Sequence, residues 1–472
     1  MKKYICLILF VLLPLSGCGA LLKTDFQPPQ TVASAQWTGD SASNATSAAE
    51  WPKDFGDPAL SQLVKLALER NNDLAAAAIK VRKAMYQAGL AWEDMIPDFS
   101  ATMGTDSQKN LKKGDWQTSY SANFQISYEA DLWGKLSRAH DSAEWEALAT
   151  EQDRQSTALT LVGTTMNLYW EIAYDNVRLQ LSERNIESAQ QTVELTASQE
   201  QYGASSPLEV NQARQDLASL LATRQTLLQS RREDHNAMAV LFDMPPGKVM
   251  ADPADLSMAK LPPIPAGLPA ELLGRRPDLR AAELRLREYL ADTDAAKAGF
   301  YPTLSLTGSL GSASTEFSDM MNNPVGAVIS SLAFPFLNWN TLKLNLKVSK
   351  AEYDEAVVNF RQTLYKAMEE VENALSNRDH LAEQGRHLAE NLAAAREVER
   401  IYEVRYKAGS GTLKDWLDAQ DTRRSVEASV AENLYNRLNN YVTLYQALGG
   451  EPPRNEAAAQ ATGGVSSAKQ AG

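Results

Sequence analysis

The sequence has few cysteines and no long apolar run beyond its N-terminus, and both absences exclude classes of protein. Its 472 residues contain two cysteines, Cys6 and Cys18. Residues 1–17 have the form of a signal peptide, with Lys2 and Lys3 ahead of an apolar run too short to span a bilayer as a helix. Cys6 leaves with this leader, so one cysteine remains and no internal disulfide can form. Because no later apolar run reaches about 18 residues, any membrane crossing must be made by strands.

Positive charge and catalytic motifs are also scarce. The formal net charge is −13, which argues against nucleic acid as a partner. The four histidines, His140, His235, His380 and His387, lie in stretches with helical periodicity, where solvated faces are the simpler interpretation than a metal site. We find no phosphate-binding loop, nucleophile elbow, zinc-protease motif or CxxC pair. The sequence therefore predicts a protein that is not an enzyme, with no catalytic residue, metal site or cofactor.

The leader ends in a pattern that resembles the lipobox of bacterial lipoproteins. In Leu15-Ser16-Gly17-Cys18 the cysteine would become the acylated first residue of the mature chain, and several acyl chains would anchor it stably. Gly19 follows where an inner-membrane retention signal usually has Asp, which favours the outer membrane. The alternative is an ordinary leader with an incidental cysteine. Residues 18–50, rich in Ser, Ala and Thr, predict a lipidated extended tether.

Residues 116–129 alternate strictly between apolar and polar side chains. Trp116, Tyr120, Phe124 and Ile126 fall on one face, and no charge occurs between Asp115 and Glu129. An uncharged polar face with an aromatic-bordered apolar face is typical of an outer-membrane barrel strand. A half-buried strand of a soluble sheet is the alternative interpretation. A first strand at 98–106 completes a predicted hairpin.

Two long proline-free stretches follow, and then the pattern starts again. Residues 136–201 repeat apolar side chains every seven residues and predict a coiled-coil helix about 100 Å long. The second half echoes the first at an offset of 205 or 206 residues, as in Arg276-Pro277-Asp278-Leu279 against Asn71-Asn72-Asp73-Leu74. The first predicted repeat is 51–244, with strands 98–106 and 116–129 and helices 136–201 and 208–242. A proline-rich connector follows at 245–275. The second predicted repeat is 276–450, with strands 303–311 and 325–336 and helices 341–407 and 412–448, and residues 451–472 are a predicted disordered tail.

Four membrane strands cannot close a barrel, and lipid does not tolerate open sheet edges. Copies of the chain must therefore associate, with eight strands for two copies or twelve for three. Since both ends of each hairpin meet helices, all the helices leave the sheet on one side. The predicted fold class is an α+β membrane protein, an internally duplicated protomer with four transmembrane β-strands and long coiled-coil helices.

A set of short motifs runs in order along both repeats and spans nearly all of the mature chain. They are Trp51, Phe55, Asp57, Leu60 and Leu63; Asn72-Asp73-Leu74; Leu268-Pro269 with Leu272-Leu273; Arg276-Pro277-Asp278-Leu279; Phe300-Tyr301-Pro302; Tyr406 with Gly409 and Leu417-Asp418-Ala419; and Leu444-Tyr445-Gln446-Ala447-Leu448-Gly449. In this order the motifs resemble those of TolC-like outer membrane factors, in particular the lipoprotein (NodT/OprM-type) efflux branch. The resemblance implies a homotrimer with a twelve-strand β-barrel and a periplasmic α-barrel.

The same resemblance implies a function and its partners. The chain would be the outer-membrane exit duct of a tripartite efflux system, passively exporting small molecules delivered by an inner-membrane transporter and a periplasmic adaptor (membrane fusion) protein. It would be held by outer membrane lipid and extend into the periplasm of a Gram-negative bacterium. The alternative is a lipid-anchored periplasmic coiled-coil scaffold without a pore. The exported substrate, whether drugs, metal ions or secreted proteins, stays open.

The resemblance also suggests a site at the periplasmic end of the helices. Matching carboxylates of the family line the closed aperture, which assigns Asp415, Asp418 and Glu209 to rings of negative charge that repel one another and bind cations. The simpler reading is that acidic residues in a first helical turn are favoured by the helix dipole. Where some members have a latching Arg, this chain has Gly411, so a latch at that position is in doubt.

The turns around Gly203 and Gly409, together with Tyr406, would form the surface that faces the adaptor. The plainer alternative is that these turns serve as helix caps alone.

Overall fold

A computed structural model describes residues 22–29, 55–109, 111–112, 114–249, 252–253, 255–256, 272–319, 322 and 324–450. Cys18, the leader, most of the tether and the tail fall outside these residues. The elements are α1 Pro58–Arg70, α2 Asn72–Glu93, β1 Asp98–Lys109, β2 Trp116–Ala130, α3 Lys135–Gln201, α4 Pro207–Leu241, α5 Leu272–Arg275, α6 Pro277–Ala298, β3 Thr303–Ser314, β4 Val325–Ala333, α7 Trp339–Lys407 and α8 Leu413–Ala447. None of the helices in these ranges is long and apolar enough to cross a lipid bilayer.

The strand predicted to end at residue 336 ends earlier. β4 stops at Ala333, and Pro335–Asn338 form a short 3-10 helix instead. Proline lacks the N–H that would continue the ladder, which explains the early end. β1 and β3 run three residues beyond their predicted ends, to Lys109 and Ser314.

The chain divides into two compact units that do not coincide with the two sequence repeats. Within the described residues, the first unit takes in 22–29, Ala78–Asp153 and Asp278–Thr363, and the second takes in 55–77, Arg154–Pro277 and 364–450. Each unit therefore takes segments from both repeats. The long helices α3 and α7 each contribute to both units.

The first unit contains a four-stranded antiparallel sheet in the order β1-β2-β3-β4. Phe124 lies opposite Ala101 on β1 and Leu310 on β3, and Ile126 lies opposite Phe99. The alternation of β2 therefore places apolar side chains of neighbouring strands on one face, as the sequence pattern predicts. β4 follows the pattern less well, because Ile329 lies opposite Thr307, on the polar face of the sheet.

The apolar face of the sheet is exposed in the single chain. Phe99 is 64% exposed, Phe124 49%, Leu310 56% and Val328 89%. Among the described residues, β1 and β4 are each paired along one edge, which leaves the other edge of each strand open. An exposed apolar face with two open edges is not a stable surface in water.

The short stretch 22–29 lies against α6 in the first unit. Thr24 donates to both carboxylate oxygens of Asp294 at 2.7 Å, once from its backbone N–H and once from its hydroxyl. Lys297 pairs with the same carboxylate at 2.8 Å. Phe26 covers the guanidinium of Arg287 at 4.5 Å. These contacts fix the chain a few residues after Cys18.

The second unit holds a helical core in which the duplication of the sequence is repeated in its contacts. The side chain of Asn71, at the start of α2, donates to the backbone oxygen of Leu241 at the end of α4 at 3.1 Å. Arg276, 205 residues later, donates to the backbone oxygen of Ala447 at the end of α8 at 3.1 Å, and also pairs with Glu370 at 2.7 Å. Each repeat thus caps its last long helix with the residue that opens its short one.

Candidate functional site

The second unit contains both helix-hairpin turns, and both turns are built in the same way. Gly203 and Gly409 each have a φ of 72°, a left-handed conformation that glycine adopts without strain. The N–H of Ala204 bonds to the Gln199 oxygen at 2.8 Å, and that of Ser410 bonds to the Arg405 oxygen at 2.9 Å. This is the Schellman geometry, which satisfies the last carbonyls of α3 and α7.

The helix that follows each turn begins with a side-chain cap. Ser206 caps α4 in a reciprocal capping box with Glu209, whose carboxylate also accepts from the Ser205 hydroxyl at 2.5 Å. Thr412 caps α8 by accepting from the Asp415 N–H at 3.1 Å, and its hydroxyl donates to the Asp415 carboxylate at 2.7 Å. Glu209 and Asp415 are thus both engaged in helix starts, as the plainer interpretation of these carboxylates expects.

The predicted carboxylates differ in exposure and in partners. Asp415 and Asp418 are exposed, whereas Glu209 is partly buried. Lys414 forms an ion pair with Asp418 at 2.5 Å, one turn away on α8. This pair offsets the charge of Asp418, whereas the carboxylate of Asp415 accepts from the Thr412 hydroxyl. The three carboxylates are brought to the same end of the helices, but with unequal free charge.

Tyr406 is predicted to face an adaptor, yet its ring is buried. It packs with Ala213, Leu413 and Trp416 in a cluster that joins α4, α7 and α8. Its hydroxyl donates to the side-chain oxygen of Gln199 on α3 at 2.8 Å. Burial, and then the nearby charge of Glu209, raise the pKa of the Tyr406 phenol. In the single chain Tyr406 therefore holds the two turns together and does not offer a surface.

Apolar residues other than Tyr406 are exposed at the turn end of the helices, and the sequence did not predict them. Tyr202 is 85% exposed just before Gly203, and Leu208 is 67% exposed in the first turn of α4. In the sequence neither is distinguishable from a core residue, because both lie beside buried positions of a periodic helix. They are free to contact another chain.

Above the turns, two consecutive arginines on α8 tie it to the other three long helices. Arg424 is buried and binds both oxygens of Asp216 on α4 at 2.9 to 3.1 Å. Arg423 pairs with Glu399 on α7 at 2.6 Å and donates to Asn185 on α3 at 3.1 Å. Bidentate pairs of this kind fix geometry as well as contribute energy. We call these two arginines and their partners the arginine clamp.

One group of side chains in the described part of the chain has metal-ligand spacing. His140, Asp141 and Glu144 on α3 place their ligand atoms within 4.8 Å of one another. The carboxylate of Asp141 is already paired with Arg138 at 2.6 Å, and Glu144 is exposed. An ion pair and open solvent account for this group, and nothing in its surroundings points to a bound metal.

Known proteins resemble this chain over nearly its whole length. The sequence profile of the family "Outer membrane efflux protein" matches residues 63–243 and 268–450. The pyoverdine export outer membrane protein OpmQ of Pseudomonas putida is 31% identical, over 95% of this chain and 98% of its own. The probable efflux pump outer membrane protein TtgC of the same species is 30% identical, over 92% and 93% of the two chains.

A solved structure has the same fold. The MtrE outer membrane channel of Neisseria gonorrhoeae, in its open state, superimposes with a TM-score of 0.83 at 28% identity, covering 92% of this chain and 98% of its own. The family match covers both repeats, and the fold match includes the sheet and the long helices. The chain therefore belongs to the outer membrane efflux protein family.

Proposed function

We propose that this protein is the outer-membrane exit duct of a tripartite efflux system. Three copies would close their twelve strands into one barrel and continue it as a helical tube into the periplasm, with Cys18 anchored in lipid. Substrate would pass without chemistry or energy coupling of the duct itself, delivered by an inner-membrane transporter through a periplasmic adaptor. The branch of the family with lipid-anchored members, the NodT/OprM-type branch, is part of this proposal.

The observation that carries the proposal is the state of the sheet. Its apolar face is exposed, and β1 and β4 each leave one edge open within the described residues. Both features are resolved when β1 of one copy pairs with β4 of the next copy and the apolar face meets lipid. A ring formed by such head-to-tail contacts closes without leaving an edge.

The names of the relatives favour a duct over a scaffold. OpmQ is named for pyoverdine export, TtgC for an efflux pump, and MtrE for an outer membrane channel. A coiled-coil scaffold without a pore does not require strands with an uncharged polar face. For this chain the exported compound is proposed no more narrowly than a small molecule.

The test compares two neighbouring positions on β2. Phe124→Lys places a charge on the apolar face and Gln125→Lys places one on the polar face. A charge on a lipid-facing strand position costs about 2–4 kcal/mol at the membrane midplane, whereas a lumen position tolerates it. We expect Phe124→Lys to abolish trimer assembly, and Gln125→Lys to assemble and shift the ion selectivity of conductance in planar bilayers.

Equal tolerance of lysine at the two positions would contradict the barrel. So would purified wild-type protein that is monodisperse as a single chain and gives no conductance.

A further inference from the structure

Two carboxyl groups meet inside the second unit, between α3 and α4. Asp175 on α3 is 3% exposed, and Asp234 on α4 is partly buried. The two side chains interact with each other, and Ser230, one turn before Asp234, also interacts with Asp175. Ionised carboxylates accept hydrogen bonds and donate none. Two facing carboxyl groups can therefore hydrogen-bond to each other only if one of them carries a proton.

The remaining oxygens support the same conclusion. With both groups ionised, the Oδ2 atoms of Asp175 and Asp234 are buried and have no hydrogen-bond partner. A buried acceptor without a donor is costly, and a buried negative charge more so. One proton shared between the groups supplies the missing donor and removes one charge.

The charges around the pair do not replace that proton. Burial raises the pKa of Asp234 to about 7, helped by Glu171 and Asp175, and burial also raises the pKa of Asp175. Of the neighbouring arginines, Arg231 is already paired with Asp252. The titratable and charged groups that face the pair are Glu171, Tyr174 and Arg178 from α3; Arg231, Glu233 and His235 from α4; Tyr435 from α8; and Asp252 from the connector.

Neither His235 nor Tyr435 supplies a charge that could take the place of the shared proton. Burial lowers the pKa of His235, which keeps its ring neutral, and raises the pKa of Tyr435, which keeps its phenol protonated. The rings of Tyr435 and Tyr174 stack, with their centroids 4.9 Å apart.

We propose that Asp175 and Asp234 form a proton-binding site that joins α3 to α4: one proton, shared by the two carboxyl groups, is bound in the folded protein, and its loss loosens the contact between these helices. The site would make the stability of the helical unit respond to the acidity of its surroundings. This inference goes beyond the proposed duct and does not depend on what the duct exports.

The direction of the pH response follows from proton linkage. Both carboxyl groups bind a proton more tightly folded than unfolded, so the stabilisation is complete at low pH. It is lost as pH rises from about 4, the value for an unfolded Asp, through about 7, the value for folded Asp234.

The test replaces the proton by a permanent donor. In Asp234→Asn the amide donates to Asp175 at every pH. Relative to this variant, we expect the unfolding equilibrium constant of the wild type, measured by guanidinium titration, to rise about tenfold or more between pH 5 and pH 8, since one pKa unit is a tenfold change. Exposed Glu187→Gln on α3 is the matched control and should follow the wild type.

The unfolding equilibrium constants are compared between wild type and variant because a second carboxyl pair, in the first unit, also titrates in this pH range. Burial and Glu146 raise the pKa of Glu288 to about 8, and this contribution is common to all three proteins and cancels. Infrared difference spectra give a direct readout. At pH 6 the protonated-carboxyl absorption should be stronger in the wild type than in Asp234→Asn and Asp175→Asn, because Glu288 contributes equally to all three proteins and cancels in the difference.

A pH-independent difference between the wild type and Asp234→Asn would overturn the proposal, and so would protonated-carboxyl absorption of equal strength in the wild type and the two Asn variants. If Asp234→Asn fails to fold, Asp175→Asn takes its place in the titration, because its amide donates to Asp234 in the same way.

Discussion

Three glycines with a φ of 72° end long helices, but their surroundings differ. At Gly203 and Gly409 a β-carbon would meet nothing within 4 Å. At Gly449 it would lie 2.8 Å from the backbone of Arg275 and Arg276, which cannot move aside as a side chain tip can. The first two positions need glycine for its conformation, and the third needs it for conformation and for space.

Gly449→Ala should therefore destabilise the protein more than Gly203→Ala. An L-residue in the left-handed region costs about 1–2 kcal/mol, and this is the whole cost expected at Gly203. At Gly449 the clash with the chain before α6 adds to it, for a total of about 3 kcal/mol or more. Denaturant midpoints of the two variants measure the difference, and equal midpoints would show that the close approach at Gly449 relaxes freely.

Tyr406 shows the limit of single-residue reasoning from sequence. The sequence places it just before the turn at Gly409, and the structure has it there, in the last turn of α7. Which side of the helix faces inward depends on the register of α7 against α3, α4 and α8. That register is set by contacts over some 200 residues, such as the bond from Tyr406 to Gln199, and no local pattern encodes it.

At the scale of elements, the arginine clamp connects all four long helices of the second unit. Its two arginines are consecutive on α8, and each reaches a different set of helices. Arg400 on α7 offers a contrast, since it pairs with Glu397 one turn away on its own helix and both side chains are exposed.

Arg424→Ala should cost about 3–5 kcal/mol, because it leaves Asp216 partly buried with its charge uncompensated. Arg400→Ala removes an exposed pair and should leave the unfolding midpoint close to that of the wild type. Thermal unfolding of the two variants side by side provides the measurement. A double variant, Arg424→Ala with Asp216→Ala, should recover part of the loss if the unpaired charge is its cause.

The elements themselves were largely predictable, for identifiable reasons. The alternation of residues 116–129 specifies β2 because no glycine or proline interrupts it and no charge occurs before Glu129. The start of α7 was harder, since Leu342, Leu344 and Leu346 alternate as in a strand, and the repeat rather than the local pattern predicted a helix there. The structure has a helix from Trp339, because a continuous proline-free segment propagates helix once it has started.

Polar contacts between helices were not predictable. Asp175, Asp234 and Arg424 look in the sequence like the solvated face of an amphipathic helix, since a charged residue is usually exposed. Their burial follows from how four helices share one core, and the heptad pattern does not specify which polar residues turn inward.

At the scale of the whole molecule, the effect of the acidic residues at the helix tips should come from their repetition in each copy of the chain. Three copies would bring Asp415 and Asp418 into rings of like charge, which attract cations and repel anions. The ion pair of Lys414 with Asp418 reduces the contribution of the second ring. The first ring should therefore dominate.

Asp415→Asn should raise conductance and weaken block by divalent cations in planar bilayers more than Asp418→Asn does. Asparagine keeps the size of the side chain and can still bond to Thr412, so the start of α8 is preserved. Leu208→Ser, at an exposed uncharged position of the same end, is the control and should leave block unchanged. If both Asp variants conduct and are blocked like the wild type, these carboxylates are helix-start residues alone.

The two unpaired borders of the sheet also bear on inheritance. In a ring where the sheet of each subunit pairs with the sheets of both neighbours, one defective subunit disrupts two interfaces. The two remaining normal subunits can pair with each other but still leave unpaired backbone groups at both ends. A variant with a defect in β1 or β4 should therefore be dominant when it is co-expressed with the normal gene, because mixed assemblies would not close. A deletion of the gene should be recessive.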